Sequence, residues 1–362
     1  MTEGLGVSSV NLDEIAYDEI SDPAVMAKHP LVSVCMMTYN HEPYIAQAIE
    51  GVLMQEADFP IELVIGEDCS TDRTREIVLE YQREHPDVIR VVLWDRNVGA
   101  RRNYQKLDDL LRGRYVAFNE GDDCWTHPKK LQMQVDIMEA NPDVGLVHGG
   151  ADDYDVNRKR RRRWKPRPSD YDDGDVFVRL LRYDYHVCAP TVCARADLVR
   201  AVQRSNPDLF DGRYLMGDMP LYYELSRITG FKLINETLVT YNVLPESASR
   251  SRDTQKLIRF WKSGLELRLY MCRKYACGRA VEDAIILRYH DWLLSVAYVA
   301  GMRELAFECA RTIRGIRGRL TVVERLHLLG TVNPCTRSAA RLGRRLFAVL
   351  PDSVKGLLGN SR

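Results

Sequence analysis

Apolar runs and apolar periodicities alternate along the first third of the chain. Leu31–Met37 (LVSVCMM), Ile61–Gly66 (IELVIG), Ile89–Leu93 and Tyr115–Phe118 are short, apolar and rich in β-branched residues, the mark of buried strands. Between them apolar positions recur at helical spacing. Tyr44–Met54 carries Ile45, Ala48, Ile49, Val52 and Leu53, Arg73–His85 carries Ile77, Val78 and Tyr81, and Asn103–Leu111 continues the series. This alternation predicts an α/β fold with a mostly parallel sheet and helices on both faces. Ligands of such sheets bind beyond the carboxyl ends of the strands, so the polar loops there are the places to look for function.

Further on, the pattern predicts a helix over Pro128–Ala140, a strand over Val144–His148, a helix over Asp175–Arg182, a strand over Ala189–Cys193, a helix over Ala196–Arg204 and a strand over Leu238–Val243. From about Thr254 the strand signals stop. Leu257–Tyr275, Ala280–Val299, Glu304–Ile313, Val322–Leu329 and, after Pro334, Thr336–Val349 read as helices. The expected organisation is a loose lead-in over 1–30, an α/β domain over 31–253 (halves 31–125 and 126–253) and a helical region over 254–362.

Composition fits a globular protein, with 45% hydrophobic and 28% charged residues. The formal charge of zero argues against a nucleic-acid-binding role, yet it hides an asymmetry. From Gln255 onward there are 20 Lys and Arg against 8 Asp and Glu; before it there are 31 against 43. An acidic front and a basic tail read as two modules with different neighbours. The start of the chain has neither a basic segment nor an apolar stretch of the signal-peptide kind. The best uncharged run of the tail, Trp292–Met302, is too short to span a bilayer. The 9 cysteines are scattered without a CxxC pair, which fits reduced thiols in a cytoplasmic protein.

Three loops carry candidate chemistry. Thr38-Tyr39-Asn40-His41 follows the first strand and has neither a dinucleotide nor a P-loop glycine pattern. Glu67-Asp68-Cys69-Ser70-Thr71-Asp72 follows the second. Ser70 and Asp72 read as helix caps, whereas Asp68, directly after the strand, is expected to point into the mouth of the sheet. Asn119-Glu120-Gly121-Asp122-Asp123-Cys124-Trp125 follows the fourth. Three carboxylates in four residues repel one another, and a hard divalent cation such as Mg²⁺ or Mn²⁺ resolves the repulsion through oxygen ligands. Taken alone, such a triplet also fits a solvated loop.

TYNHEPYIAQAIEGVLMQ, IELVIGEDCSTDRT and RYVAFNEGDDCWTHPKKLQMQV together resemble the inverting, family 2 nucleotide-diphosphosugar glycosyltransferases of the GT-A fold, over about residues 31–250. The resemblance implies a metal-dependent transfer of a sugar from a nucleoside-diphosphate donor, UDP- or dTDP-linked, to the hydroxyl of a glycan or lipid-linked acceptor in cell-envelope or surface polysaccharide synthesis. It assigns Thr38, Tyr39, Asn40 and Asp68 to the nucleotide and places Asn97 and Arg101 beside it. Asp123 falls on the metal position, Asp122 near ribose and metal, and Glu120 on the third acidic position. Asp218, in Met216-Gly217-Asp218-Met219-Pro220, falls where the family keeps its general base; Pro220 marks a helix start, so Asp218 is also a natural N-cap. Leu244 departs from the pattern, standing where many relatives carry a histidine, which leaves Ser247, Ser249 and Arg250 as phosphate contacts. Cys69 and Cys124 each follow a site aspartate, which makes activity thiol-sensitive if they do more than pack; of the remaining histidines, His148 at a strand end is the one to watch. Two other classes stay open: a sugar-nucleotidyltransferase, for which TYNHEPY lacks the basic glycine-rich loop, and an inactive binding or scaffold protein.

Two basic segments complete the reading. Arg158–Arg167 (RKRRRRWKPR) is either a solvated or disordered loop or a flap that meets an anionic acceptor. In the tail, Arg337, Arg341, Arg344 and Arg345 flank a stripe of Leu342, Leu346, Val349 and Leu350, which either packs on preceding helices or rests on the anionic inner face of the membrane.

Overall fold

The computed structural model describes residues 15–166, 174–244, 251 and 253–332. These fall into two compact units that interleave in sequence. The first takes the described residues up to 166 with 187–212 and 224–244; the second takes 174–186, 213–223 and those from 251 on.

The first unit is built on a ten-stranded sheet in the order β1-β4-β3-β2-β5-β9-β7-β10-β6, with β8 pairing β7 off that path. β2 (Val32–Thr38), β3 (Ile61–Glu67), β4 (Ile89–Trp94) and β5 (Tyr115–Glu120) run parallel, as their apolar runs predict. They are linked by α2 (Ile45–Leu53), α3 (Thr74–Glu84) and α4 (Ala100–Leu110). The lead-in is not loose throughout: β1 (Tyr17–Ile20) adds an antiparallel edge against β4, and α1 (Pro23–Met26) follows with its N-cap on Asp22. β6 (Cys124–Trp125), α5 (Lys130–Ala140), β7 (Val144–Asp155), β8 (Arg160–Arg162), β9 (Cys193–Arg195), α7 (Ala196–Ser205) and β10 (Gly230–Val243) complete the unit. Ala189–Thr191, expected within a strand, forms a single 3-10 turn around Pro190, because proline supplies no N–H to a ladder.

The amino ends of the strands are fastened by a buried ion network. Glu62 accepts from Ser33 Oγ at 2.6 Å, from Arg112 Nη2 at 2.7 Å and from Arg90 Nη1 at 3.2 Å. Burial alone would raise this carboxyl, but its arginine and serine partners hold it below the ordinary value. The carboxyl ends of the strands carry the opposite arrangement.

Lys130 on α5 is wholly buried, with Nζ 3.8 Å from the centroid of the Trp125 ring and 2.9 Å from Gln134 Oε1. Loss of hydration pulls its ammonium down to about 7. An unfolded lysine titrates near 10.4, so between about pH 7 and 10 the unfolded chain binds more protons and stability rises with pH. The expected slope approaches about 1.4 kcal/mol per pH unit. Melting temperatures measured from pH 7 to pH 9 should therefore climb in the wild type relative to Lys130→Met; parallel curves would show that Lys130 stays charged in the fold.

The second unit contains α6 (Val176–Leu181), the start of α8 (Met219–Ile228), α9 (Thr254–Lys274), α10 (Arg279–Ala300), α11 (Arg303–Arg317) and α12 (Val322–Val332). Asp253 caps α9, accepting from the Gln255 and Lys256 amides at 2.9 and 3.2 Å. Gly301 and Gly318 end α10 and α11 in the left-handed conformation that favours glycine. Leu293, Leu294, Ala297, Ala306, Cys309, Ala310 and Ile313 form the core between α10 and α11. No helix among the described residues is long and apolar enough to cross a membrane.

Candidate active site

β5 extends through Asn119 and Glu120, two residues further than its apolar run, and the chain then turns sharply. The Gly121 amide donates to Met37 O at 2.9 Å and the Asp123 amide to Glu120 O at 3.0 Å. This turn gathers the carboxylates of Glu120, Asp122 and Asp123, and one oxygen from each lies within 4.8 Å of the other two. β10, paired with β6, closes the loop from the other side. The Asn242 amide donates to Asp123 Oδ1 at 2.9 Å, and Asn242 Nδ2 donates to Asp122 O at 2.6 Å. Asp123 Oδ2 and Asp122 Oδ1 are buried without a hydrogen-bond partner.

Loss of hydration pushes the Asp123 carboxyl well up, and the charges of Asp122 and Glu120 add to the rise. Asp122 is also raised by burial, with His41 opposing. The Tyr241 hydroxyl is raised by burial and then by the same three acids. Unlike Glu62, whose arginines hold it down, Asp122 and Asp123 are both raised, and no arginine is among the groups that oppose the rise. Two orphaned acceptor oxygens in a gathered carboxylate set are what a hard divalent cation satisfies, so the residues fit such an ion.

The first loop packs directly on this turn. A Cβ on Gly121 would fall 2.5 Å from Thr38 Oγ1 and 2.8 Å from His41 Nδ1, so only glycine allows the approach. Thr38 Oγ1 and His41 Nδ1 are themselves 3.2 Å apart. Asn40 is left-handed, at φ 54°, and its side chain accepts from the Thr71 amide at 2.8 Å. Ser70 is not a helix cap: its hydroxyl accepts from the Asn40 amide at 2.9 Å. Asp72 does behave as a cap, accepting from the Thr74 amide at 3.0 Å. Tyr39 stands exposed beside these contacts.

Asp68 does not project freely into the mouth. It is buried, and its two oxygens accept from the Val98 amide at 2.6 Å and the Gly99 amide at 2.9 Å. It thus fastens the loop that carries Asn97 and leads to Arg101 on α4. Burial still raises its carboxyl, and the two amides oppose the rise. Asn103 ties α4 to β3 and β4, donating to Gly66 O at 2.7 Å and accepting from Trp94 Nε1 at 3.1 Å.

Residues 33–194 match the family model described as glycosyl transferase family 2. The matched stretch runs from β2 into β9 of the first unit. Similar proteins include an uncharacterized protein of Mycobacterium tuberculosis, 38% identical over 31% of this chain and 33% of its own length. TuaG of Bacillus subtilis, provisionally named a teichuronic acid biosynthesis glycosyltransferase, is 39% identical over 30% of this chain and 42% of its own length. The chain thus spans between a third and a half of the length of these curated relatives. Among solved structures, S. aureus TarS 1-349 in complex with UDP-GlcNAc aligns with a TM-score of 0.50 at 16% identity, covering 83% of this chain and 79% of that one. The mannosyltransferase PcManGT of Pyrobaculum calidifontis, in complex with GDP-Man and Mn²⁺, aligns with a TM-score of 0.50 at 16% identity, covering 97% and 92%. These likenesses place the fold with the GT-A enzymes.

Within the matched stretch, Thr38, Asn40, Asp68, Glu120, Asp122 and Asp123 are gathered at the carboxyl ends of β2, β3 and β5. Asn97 and Arg101 lie on the segment that Asp68 fastens. His41, Tyr241 and Asn242 join the site without having been singled out. For His41 the signal was its place in the first loop; for Asn242 only the pairing of β10 reveals it. His148 is buried inside β7.

Asp218 belongs to the second unit, at the start of α8, where Pro220 lies in the first turn as expected. Its side chain is open to solvent, yet the surrounding protein strips enough hydration to push the carboxyl up, against the amides of Asp218 and Met219 and the charge of Arg268. Arg268 is buried, its guanidinium 3.6 Å from the centroid of Tyr183. Ser247, Ser249, Arg250 and the basic tail with Arg337, Arg341, Arg344 and Arg345 lie outside the described residues.

Proposed function

We propose that this chain is a metal-dependent, inverting glycosyltransferase that moves a sugar from a nucleoside-diphosphate sugar, UDP- or dTDP-linked, to an acceptor hydroxyl in cell-envelope or surface polysaccharide synthesis. The observation that carries the reading is the gathered set of Glu120, Asp122 and Asp123 with its two orphaned oxygens. Those three residues would hold Mg²⁺ or Mn²⁺, which supplies Lewis-acid neutralisation of the leaving diphosphate. Thr38, Tyr39 and Asn40 line the nucleotide, and Asp68 holds the Asn97–Arg101 segment against it. Asp218 takes the proton from the acceptor hydroxyl as that oxygen attacks the anomeric carbon from the face opposite the leaving group. Support comes from the family 2 match, from neighbours solved with UDP-GlcNAc or with GDP-Man and Mn²⁺, and from a relative, the dTDP-rhamnosyl transferase RfbG of Shigella flexneri, 31% identical over 29% of this chain.

A thermal-shift screen of UDP-, dTDP- and GDP-sugars with and without Mn²⁺ tests the reading. A ligand of the native state at 100 times its Kd adds about 2.7 kcal/mol, enough to raise the melting temperature by several degrees. A UDP- or dTDP-sugar should give that rise only with Mn²⁺ present. No shift with any of the three donor classes would remove the transferase reading, and with it the distinction from a scaffold.

A further inference from the structure

The described part of the basic run, residues 158–166, is a folded hairpin and not a loose loop. β8 pairs antiparallel with the end of β7 in the register Asp153↔Arg162, Tyr154↔Arg161, Asp155↔Arg160. Three acids of β7 neutralise three of its cations: Asp155 with Arg158 at 3.2 Å, Asp153 with Arg162, and Asp152 with Arg161 at a looser 3.9 Å. Trp164 pins the segment down. Its amide donates to Asp152 Oδ1 at 2.8 Å, and its indole fills the space over Gly150, where a Cβ would lie 2.3 Å from the ring. The side chains of Lys159, Arg160, Arg163 and Lys165 are exposed and make no hydrogen bond or ion pair among the described residues.

Register places this hairpin beside the acidic turn. β10 pairs with β7 through Asn242↔Tyr154 and Thr240↔Asp152, and with β6 through Thr240↔Cys124. Residues directly opposite one another across a ladder point to the same face. Arg161, Tyr154 and Asn242 therefore form one row, with Asp152, Thr240 and Cys124 in the row behind it. Asn242 is the residue that clamps Asp122 and Asp123. Two strand spacings, about 10 Å, separate the Arg161 and Asn242 backbones, and both side chains stand on the same face of the sheet.

We propose that Arg161, with the unpaired Arg163 that follows it, binds a phosphate group carried by the acceptor, so that the substrate class of this transferase is a phosphate-bearing acceptor. This rests on the transferase reading of the adjacent acidic site. An arginine fork suits a phosphate bidentately, and a hairpin held rigid by Trp164 orders few side chains on binding. The loose Asp152 contact leaves Arg161 available to an incoming anion. The attraction is local: the chain before Gln255 is acidic in sum, so a uniform positive field does not account for it. The phosphate belongs either to a phosphodiester glycan or to a lipid-linked sugar, and both present the same group.

Binding to the full chain is measured in two arms: calorimetry with a short poly(glycerol phosphate), and co-sedimentation with phosphatidylcholine vesicles doped with a polyprenyl phosphate, against undoped vesicles. Three proteins are compared: wild type, Arg161→Ser/Arg163→Ser, and the charge-matched control Lys159→Ser/Arg160→Ser. Loss of a charged hydrogen-bond pair should weaken one arm by about tenfold or more in the first variant, while the control stays within about twofold. The arm that responds names the source of the phosphate. Equal weakening in both variants, no weakening in either, or no binding of either probe by the wild type overturns the proposal. Arg163→Ser alone, which removes a side chain without contacts, decides the matter if the double variant misfolds. The Mn²⁺-dependent donor shift is recorded on the same samples. Its absence in the wild type with the arginine effect intact sinks the transferase reading and leaves the anion site standing; its presence with an insensitive hairpin sinks only the anion site.

Discussion

Asp123→Ala is expected to abolish sugar transfer and the Mn²⁺-dependent part of donor binding while leaving the fold intact. Asp123 is the most deeply buried of the three acids, with one oxygen on the Asn242 amide and the other unpartnered. Truncation leaves that amide unpaired, a cost of about 1–3 kcal/mol. It also removes the charge that repels Asp122 and Glu120, which offsets part of the cost. The melting temperature without metal should therefore move by only a few degrees, whereas the additional rise with Mn²⁺ and donor should vanish. Metal neutralisation of a leaving diphosphate contributes several kcal/mol, so turnover should fall by about 10³-fold or more. Turnover near that of the wild type, or full wild-type activity in excess EDTA, would remove the metal from the mechanism.

Asp218→Asn is expected to lower transfer by about 10²–10⁴-fold, the usual weight of general acid–base catalysis, with donor binding retained. Asparagine is nearly isosteric and still caps a helix, so stability should barely change. The wild-type pH profile supplies the second readout. Loss of hydration to the surrounding protein raises the Asp218 carboxyl above its ordinary value, although the residue is exposed, and a base acts only when deprotonated. Activity should therefore be lost as pH falls through that raised value, with the acidic limb of kcat/KM lying above the ordinary aspartate value of about 3.9. In Asp218→Asn that limb should disappear from the residual activity. Equal loss of donor binding and transfer, or an unchanged acidic limb, would show that Asp218 is not the base.

Much of the first unit was legible because its determinants are local. Parallel strands buried on both faces must be continuously apolar, and helices between them must show one apolar stripe, so β2 to β5 and α2 to α4 stand out within a few residues of their true ends. The acidic turn was legible for the same reason: three carboxylates in four residues need an offset wherever the chain goes. Pro220 likewise announces the start of α8 by itself. The expected lead-in shows the limit. Tyr17–Ile20 has no apolar run, since an edge strand is buried little and needs only the open side of β4.

Sequence alone thus determined the order of strands and helices, the loops that meet at the carboxyl ends of the sheet, and the acids they carry, because each depends on residues next to one another in the chain. Only the tertiary structure decided which groups answer those acids. Asn242 reaches Asp123 across 119 positions because β10 lies beside β6, an adjacency that no local pattern encodes. Asp68 turns to the Val98 and Gly99 amides because a buried carboxylate takes the nearest unpaired donors. Lys130 is buried against Trp125, although its charge predicts a surface site, because the first turn of α5 packs under β6. The arginine run became a strand because the carboxylates of β7 lie in register to neutralise it. Pairing partners across a sheet are set by the order of the strands, and that order is a property of the whole fold.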